Sequence, residues 1–210
     1  MVHLDPFYPI LPDTDWLALL LPLGISFVQL RIKDQDTPSV RAEIDKAIVL
    51  CAEHDCQLVV NDYWREAIEA GADFVHLGQE DLAGADLGAL RAAGVRLGIS
   101  THSEAELATA LSADPDYVAL GPIYPTTLKA MPWAPQGLAR LAEWRAKIKC
   151  PLVAIGGITL ERAPEVLAAG ADSVALVSDL TGNKDPRRRT AEWIIVTEPW
   201  RHFSTGFPLA

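Results

Sequence analysis

Short apolar runs alternate with segments of helical periodicity along the chain, and each strand–helix pair recurs after about 20 to 30 residues. The apolar runs are rich in β-branched and aromatic residues, which is typical of buried strands. Strands are predicted at Phe7–Leu11, Phe27–Arg31, Gln57–Asn61, Phe74–Leu77, Arg96–Ser100, Tyr117–Leu120, Leu152–Ile155 and Ser173–Val177. Helices are predicted at Thr14–Leu21, Ser39–His54, Tyr63–Ala70, Leu87–Ala93, Ser103–Leu111, Leu138–Ile148, Arg162–Ala169 and Asp185–Val196. Regular alternation of the two indicates a parallel sheet.

The number of these units favours a closed barrel. Eight strand–helix pairs fit a (β/α)8 TIM barrel without remainder, whereas an open doubly wound sheet is the competing α/β architecture. The 210 residues suffice for one domain, near the lower end of the size range for this fold. We therefore expect a single-domain barrel over residues 1–196, followed by a tail, 197–210, to which the sequence assigns no role.

The charge balance narrows the class of partner. The chain has 28 acidic and 18 basic residues, a formal net charge of −10. Nucleic acids and anionic membranes both require a basic surface, so neither is expected as a partner. A small phosphorylated ligand responds to a local cluster of charges more than to the net charge, and is therefore not excluded.

The composition also bears on location. The longest apolar stretch, Trp16–Leu23, is interrupted by Pro22 and is too short to cross a bilayer. The first residues lack a basic segment followed by an apolar run, so no secretory signal is expected. Cys51, His54 and Cys56 have no second ligand pair nearby and are interpreted as structural rather than metal-binding. The chain is thus expected to be cytoplasmic, and self-association into a homo-oligomer is left open.

The second predicted strand carries polar residues at alternate positions. Gln29, Arg31 and Lys33 share one face, and apolar residues occupy the positions between them. In a barrel the apolar face meets the helices, so the polar face should point into the mouth. Two cations on this face would repel each other unless an anion lay between them, which favours binding of a polyphosphate.

Acidic residues follow the third and fourth predicted strands. Asp62 comes directly after the third strand, and Asp81 follows the fourth. Mg²⁺ is commonly held by one or two carboxylates together with water and substrate phosphate oxygens. Each side chain could instead cap the helix that follows it. Beside the two cations of the second strand the metal interpretation is favoured, with Glu80 as the weaker candidate.

The fifth predicted strand ends on a hydroxyl. Ser100 could hydrogen bond a ligand or cap the next helix, but no Asp–His relay accompanies it, which argues against a nucleophilic role. His102 is expected to line the site. His76 lies within a strand and is interpreted as a core or supporting residue whose hydrogen bonds are satisfied.

The loops after the last three strands suggest a second anion site. The connection from Gly121 to Gly137 is long for a compact barrel and contains Thr126, Thr127 and Lys129 as donors for phosphate. The seventh strand runs into Gly156-Gly157, and the eighth into Val177-Ser178. Loops at these two places form the usual monophosphate site of such barrels, although the glycines could serve only a tight turn.

Seven motifs in order resemble the thiamine-phosphate synthase family from about Phe27 to Asp185. They are QLRIKD at Gln29–Asp34, ND at Asn61–Asp62, HLGQEDL at His76–Leu82, GISTH at Gly98–His102, GPIYPT at Gly121–Thr126, AIGGI at Ala154–Ile158 and GADSVALVS at Gly170–Ser178. Family enzymes join a pyrimidine methylene to a thiazole nitrogen and release diphosphate.

The resemblance implies a role for each of these positions and two phosphorylated small-molecule substrates. The residues that would bind the aminopyrimidine diphosphate are Gln29, Arg31, Lys33, Asn61, Ser100 and Lys129. Those that would hold the thiazole phosphate are Thr126, Gly157, Val177 and Ser178. Asp62 and Asp81 would bind Mg²⁺ as the cofactor. Arg31, Lys33 and Lys129 would be catalytic, because they would stabilise the leaving diphosphate.

One departure from the family leaves alternatives open. The family loop usually reads PT-x-T-K, whereas Leu128 here replaces a hydroxyl residue before Lys129. A thiazole tautomerase of the same barrel type would need neither a diphosphate site nor a metal site. A phosphate-ligand sensor without catalysis is the remaining alternative.

Overall fold

The computed structural model describes residues 4–126 and 133–201, and eight parallel strands close into a barrel in sequence order. The strands are β1 (Phe7–Leu11), β2 (Phe27–Leu30), β3 (Gln57–Asn61), β4 (Phe74–Leu77), β5 (Arg96–Thr101), β6 (Tyr117–Leu120), β7 (Leu152–Ile155) and β8 (Ser173–Leu176). The predicted single-domain (β/α)8 fold is confirmed. Where β2, β5 and β8 differ from the prediction, they do so by one residue at the carboxyl end.

Helices follow the strands around the outside of the barrel. They are α1 (Thr14–Leu20), α2 (Thr37–Glu53), α3 (Trp64–Ala70), α4 (Gln79–Gly84), α5 (Leu87–Ala92), α6 (Glu104–Ser112), α7 (Gly137–Lys147), α8 (Ala163–Ala168), α9 (Ser178–Thr181) and α10 (Pro186–Arg201). Several begin at side-chain caps: Asp13, Asp36, Asp86 and Ser103 each accept a backbone N–H of the first turn.

Two of these helices are absent from the prediction. Helix α4 has six residues and α9 has four, and both come directly after a strand, at the mouth of the barrel. Segments this short contain fewer than two helical turns, so they carry no apolar periodicity from which to recognise them.

The last helix is longer than predicted. It continues past Val196 to Arg201 despite Pro199. Its final turn is held by tertiary contacts, because Thr197 is fully buried and Arg201 binds Asp5 through Nε at 2.9 Å and NH2 at 3.1 Å. Residues 197–201 therefore belong to the barrel rather than to a separate tail.

The core has two layers, as expected for a barrel with an outer ring of helices. The outer layer lies between strands and helices. The inner layer fills the barrel and is rich in aromatic rings: Tyr8 packs on Phe27 with ring centroids 4.4 Å apart, and Phe74 packs on Tyr117 at 5.6 Å. Gly98 lies directly under the Tyr117 ring, where a Cβ atom would overlap it.

Cys51, His54 and Cys56 lie at the helix end and strand start that the sequence indicated for them. Cys51 lies in the last turn of α2, His54 is the C-cap of that helix, and Cys56 precedes β3. Both thiols are buried and free. The hydrogen bond with Cys51, and after it burial, raises the pKa of Cys56 far above its usual value.

Candidate active site at the carboxyl end of the barrel

The polar face of β2 points inward, as predicted. Gln29 is 2% exposed and lies inside the barrel, whereas the apolar residues at alternate positions are buried in the outer layer. The strand ends at Leu30, so Arg31 and Lys33 extend beyond it towards the mouth. Arg31 is half-buried and Lys33 is exposed.

Lys33 has a carboxylate partner within the protein. Its Nζ atom lies 2.8 Å from Oδ2 of Asp62. Repulsion between Arg31 and Lys33 is the reason for which the sequence predicts an anion between them. That reason is wrong, because Asp62 already compensates the charge of Lys33. Arg31, in contrast, forms no ion pair with any residue in 4–126 or 133–201.

Asp62 occupies a strained turn at the end of β3. Its φ is +66°, a left-handed conformation that non-glycine residues adopt at a cost of about 1 kcal/mol or more. The turn is held by its backbone, because the Asp62 N–H donates to the His76 carbonyl at 2.9 Å. Helix α3 begins after Tyr63 without a side-chain cap, so Asp62 does not serve the capping role that was the alternative.

Asp81 faces Asp62 from the first turn of α4. The N-cap of that helix is Gly78 and makes no side-chain cap, so Asp81 is not a cap either. Burial, the charge of Asp62 and a hydrogen bond with Asp62 together raise the pKa of Asp81, and Lys33 partly offsets the shift. Two carboxyl groups in contact, one of which resists ionisation, form a site that a cation would stabilise.

An open cleft adjoins the two carboxylates. It has a volume of about 330 Å³ and lies between residues 62–66 and helix α4, with Glu80 and Asp81 on its wall. No group of three or more His, Cys, Asp or Glu side chains suited to a metal occurs in the described part of the chain. Any metal here would therefore need water or a ligand to complete its coordination.

A line of hydrogen-bonded side chains lies under the mouth, inside the barrel. His76 bonds Tyr117 through Nδ1 at 2.7 Å and Ser100 through Nε2 at 2.7 Å. Burial is the main cause that lowers the pKa of His76 to about 4, so the ring is neutral at physiological pH. The prediction that His76 is a satisfied supporting residue is confirmed.

Ser100 takes part in this line and does not cap the next helix, α6, whose N-cap is Ser103. Its carbonyl accepts from Gln79 Nε2 at 2.7 Å, and this bond ties α4 to β5. Gln79, Tyr8 and Tyr117 were not among the predicted site residues. Both tyrosines belong to apolar strand segments, and no site role is predicted for them from the sequence. The alternation along each strand is nevertheless a signal that they point inward.

His102 lies at the rim of the mouth. Its Nδ1 atom is 2.8 Å from Glu106 Oε2, and its ring stacks on Trp133 with centroids 5.9 Å apart. Gln136 Nε2 donates to the His102 carbonyl at 3.0 Å. These contacts attach the end of the loop after β6 to the loop after β5.

The loops after β6 and β7 pack closely against one another. Gly156 and Gly157 both have positive φ, +97° and +65°, and a Cβ on Gly157 would overlap the Pro125 carbonyl. Tyr124 donates its N–H to the Gly156 carbonyl at 3.0 Å, and Arg162 lies over the Tyr124 ring at 4.4 Å. The glycines are thus required for more than a tight turn, because only glycine permits this approach.

The loop after β8 leads directly into α9. Val177 is the N-cap of this short helix and Ser178 its first residue. Asp179 holds the helix in place through a two-fold ion pair with Arg189, at 2.8 and 3.0 Å, and a bond from Trp193 Nε1 at 2.6 Å. The hydrogen bond with Asp179 is the main cause that raises the pKa of Arg189.

The structure brings most of the predicted residues to one end of the barrel. Those on the β2–β5 side are Gln29, Arg31, Lys33, Asn61, Asp62, Asp81 and Ser100, and those on the β6–β8 side are Thr126, Gly157, Val177 and Ser178. Asn61 is buried at the end of β3. Thr127, Leu128 and the predicted catalytic Lys129 lie outside the described residues.

Comparison with known proteins identifies the family. The sequence profile of the thiamine monophosphate synthase family matches residues 10–180, a range that includes all the predicted site residues. The chain belongs to the thiamine monophosphate synthase family. It is accordingly an enzyme, a transferase of thiamine biosynthesis.

Relatives cover nearly the whole chain. A thiamine-phosphate synthase of Rhizobium etli is 60% identical over 201 residues, which is 95% of this chain and 98% of the relative. One of Salmonella choleraesuis is 50% identical over 190 residues, 90% of each chain. The solved structure of a thiamine phosphate pyrophosphorylase from Pyrococcus furiosus is 30% identical, with a TM-score of 0.83 over 93% of this chain and 96% of its own.

Within residues 4–126 and 133–201, no helix combines the length and the apolar character needed to span a membrane.

Proposed function

We propose that this member of the family joins 4-amino-5-hydroxymethyl-2-methylpyrimidine diphosphate to 4-methyl-5-(2-phosphoethyl)thiazole, giving thiamine phosphate and diphosphate with the help of Mg²⁺. The observation that carries the proposal is the contact between Asp62 and Asp81 beside Lys33, at the same end of the barrel as the Gly157 turn. One side of the mouth thus offers charged groups, and the other offers main-chain donors and hydroxyls.

The acidic pair suits Mg²⁺. Asp62 and Asp81 supply hard oxygen ligands, and burial together with the charge of Asp62 raises the pKa of Asp81. Two carboxylates are the usual protein contribution to a Mg²⁺ site that a substrate polyphosphate completes. When bound, the ion would neutralise charge on the diphosphate as it leaves.

The cations at the mouth would assist departure of the diphosphate. Arg31, half-buried and without an ion-pair partner in the described residues, can bind phosphate oxygens through two N–H groups at once. Lys33 pairs with Asp62 and is partly exposed, so its ammonium group could also contact a bound diphosphate. Lys129 is proposed as a third cation from the sequence alone. Together they would stabilise negative charge that develops on the leaving group.

The interior polar residues would hold the pyrimidine. Gln29 on β2 and Ser100 on β5 bond to side chains of the barrel interior, and Asn61 is buried at the end of β3, directly before Asp62. The electron-rich aminopyrimidine would support positive charge on its methylene as the carbon–oxygen bond to diphosphate breaks. No protein nucleophile is required.

The opposite side of the mouth would hold the second substrate. Thr126, Gly157, Val177 and Ser178 would bind the monophosphate, since barrels of this type hold one between the loops after β7 and β8 and a short extra helix such as α9. Anchored by this phosphate, the thiazole nitrogen would attack the pyrimidine methylene.

The test is incubation of the purified chain with both phosphorylated compounds and Mg²⁺, followed by mass detection of the joined product. We expect thiamine phosphate and diphosphate in equal amounts, and neither after chelation of the metal. Isomerised thiazole without diphosphate would support a tautomerase, and tight binding without product in a single turnover would support a sensor. A cytoplasmic location and self-association remain predictions from the sequence.

A further inference from the structure

A continuous chain of hydrogen bonds crosses the barrel interior from Gln29 to Ser100. Gln29 Nε2 donates to the Tyr8 hydroxyl at 2.9 Å, and that hydroxyl lies 3.0 Å from the Tyr117 hydroxyl. Tyr117 is 2.7 Å from Nδ1 of His76, whose Nε2 is 2.7 Å from Ser100 Oγ. The five residues come from β2, β1, β6, β4 and β5, so the chain links most of the barrel.

Each interior member of the chain can donate only one hydrogen. Tyr8 and Tyr117 have one hydroxyl hydrogen each. His76 is 7% exposed and its two ring nitrogens contact only hydroxyls, so it is uncharged and carries one ring hydrogen. Because every link uses a single hydrogen, the chain can run in only two directions, and reversing one link reverses the others.

Gln29 sets the direction. An amide nitrogen donates and cannot accept, and the buried Tyr8 hydroxyl has only Tyr117 as an acceptor within the described residues, so Tyr8 donates to Tyr117. By the same reasoning Tyr117 donates to Nδ1 of His76. The histidine therefore carries its hydrogen on Nε2 and donates it to Ser100 Oγ. The hydroxyl hydrogen of Ser100 is not used within the chain.

We propose that Tyr8, Tyr117 and His76 are positioning residues that make Ser100 a hydrogen-bond donor to the pyrimidine substrate and couple it to the amide of Gln29. The identity of the ligand rests on the proposed function, whereas the direction of the chain is a property of the protein alone. An aminopyrimidine has ring nitrogens that accept and an exocyclic amine that donates. A donor at Ser100 and the amide oxygen of Gln29 match these two groups, and a reversed chain would offer the opposite pair.

Nitrogen NMR of the ligand-free protein tests the direction without any activity. In protein labelled with ¹⁵N-histidine, we expect the His76 hydrogen on Nε2, with Nδ1 unprotonated; the His76→Gln variant assigns the signals. Tyr117→Phe removes the donor to Nδ1 but keeps the ring, so the preference for one tautomer should give way to a mixture. A hydrogen on Nδ1 in the unmodified protein, or an unchanged tautomer in Tyr117→Phe, would overturn the proposal.

Kinetics test the coupling of the two ends. The variants Gln29→Ala and Ser100→Ala are compared singly and together, first in the otherwise unmodified protein and then in Tyr117→Phe. In the otherwise unmodified protein, we expect Gln29→Ala to reduce kcat/KM for the pyrimidine diphosphate about tenfold less when Ser100 is already alanine. In Tyr117→Phe the two effects should multiply independently, with the KM for the thiazole phosphate unchanged throughout.

A matched control removes a buried hydroxyl elsewhere. Ser173→Ala deletes a bond to the Asp5 carbonyl at the other end of the barrel and should leave both kinetic constants unchanged. If Tyr117→Phe does not fold, Tyr8→Phe interrupts the same chain at the adjacent link. If the native protein does not use the pyrimidine diphosphate, the proposed function is contradicted. The NMR experiment would still show the direction of the hydrogen bonds from Gln29 to Ser100. Turnover with coupling that survives Tyr117→Phe would contradict only this inference.

Discussion

Asp5 and Asp172, at the amino ends of the strands, are each held by an arginine and by backbone N–H groups, whereas Asp62 and Asp81 at the carboxyl ends lie against one another. Asp172 accepts from Arg145 at 2.5 Å and from the Leu152 N–H at 2.7 Å. Asp5 accepts from the Phe7 N–H at 2.9 Å as well as from Arg201. At the mouth, Asp62 pairs with Lys33, and burial together with the charge of Asp62 raises the pKa of Asp81.

The difference separates stability from function. Carboxylates at the amino ends have their charge compensated locally, so they contribute to the folded state. At the mouth, two carboxyl groups share one cation, Lys33, within the described part of the chain, as is common where a ligand completes the interactions. The comparison makes two predictions about these aspartates. Substitutions at the amino ends should reduce stability and leave activity unchanged, whereas substitutions at the mouth should reduce activity.

The largest expected effect is on catalysis. Replacing Asp62 and Asp81 together by asparagine should reduce kcat/KM by a factor of about 10² to 10³, because the proposed ligands for Mg²⁺ are lost. Unfolding by urea should show no loss of stability for Asp81→Asn, since burial and Asp62 disfavour its charged form. Retention of the native rate in Mg²⁺ would rule out the metal assignment.

Gly157→Ala should weaken the other half of the mouth. The added Cβ would overlap the Pro125 carbonyl at a backbone φ of +65°, so we expect a loss of about 2 to 3 kcal/mol in stability and a higher KM for the thiazole phosphate. Gly84→Ala is the control, because its Cβ would meet nothing within 4 Å. An equal KM in both variants would show that the close approach of the loops does not shape this site.

Asp5→Ala tests the amino end. It removes contacts with Arg201, Ser26 and the Phe7 N–H, so the free energy of unfolding should fall by about 2 kcal/mol while kcat stays unchanged. Asp15→Ala, whose side chain is 94% exposed, should leave both quantities within error. A loss of activity in folded Asp5→Ala would contradict the assignment of the amino-end carboxylates to stability alone.

The pH dependence of Mg²⁺ binding sharpens the description of the mouth. Because the pKa of Asp81 is raised, its carboxyl keeps a proton to higher pH than an ordinary aspartate, and the ion must displace that proton. The apparent affinity for Mg²⁺ should therefore fall as pH decreases through this pKa, and below it by at most about tenfold per pH unit for one proton. Metal titrations of the diphosphate-forming rate would measure it, and Asp81→Asn should show a flatter profile.

The smallest effect concerns the last helix. The hydroxyl of Thr190 is buried and has no hydrogen-bond partner in the described part of the chain. Thr190→Val should raise the free energy of unfolding by about 1 kcal/mol. Thr197→Val is the matched control, because its hydroxyl donates to the Trp193 carbonyl at 2.8 Å and its loss should not stabilise the protein.

Part of the site could be predicted from local pattern. Alternation along β2 correctly assigned Gln29 to the interior, because side chains on a strand change face at every residue. Motif order placed Asp62 and Asp81 after successive strands and Ser100 near the carboxyl end of the next, and closure of a parallel barrel brings such positions to one end. The helices α4 and α9 were missed because neither is long enough to show periodicity.

The sequence by itself determined the closed barrel, the end at which the polar residues gather and the family, since these depend on periodicities and motifs within short stretches of chain. Only the tertiary structure decided that Lys33 pairs with Asp62, that Asp81 meets Asp62, and that Tyr8 and Tyr117 join Gln29 to Ser100. Those contacts connect residues up to 109 positions apart. They depend on side-chain directions and on barrel closure, which no local pattern specifies.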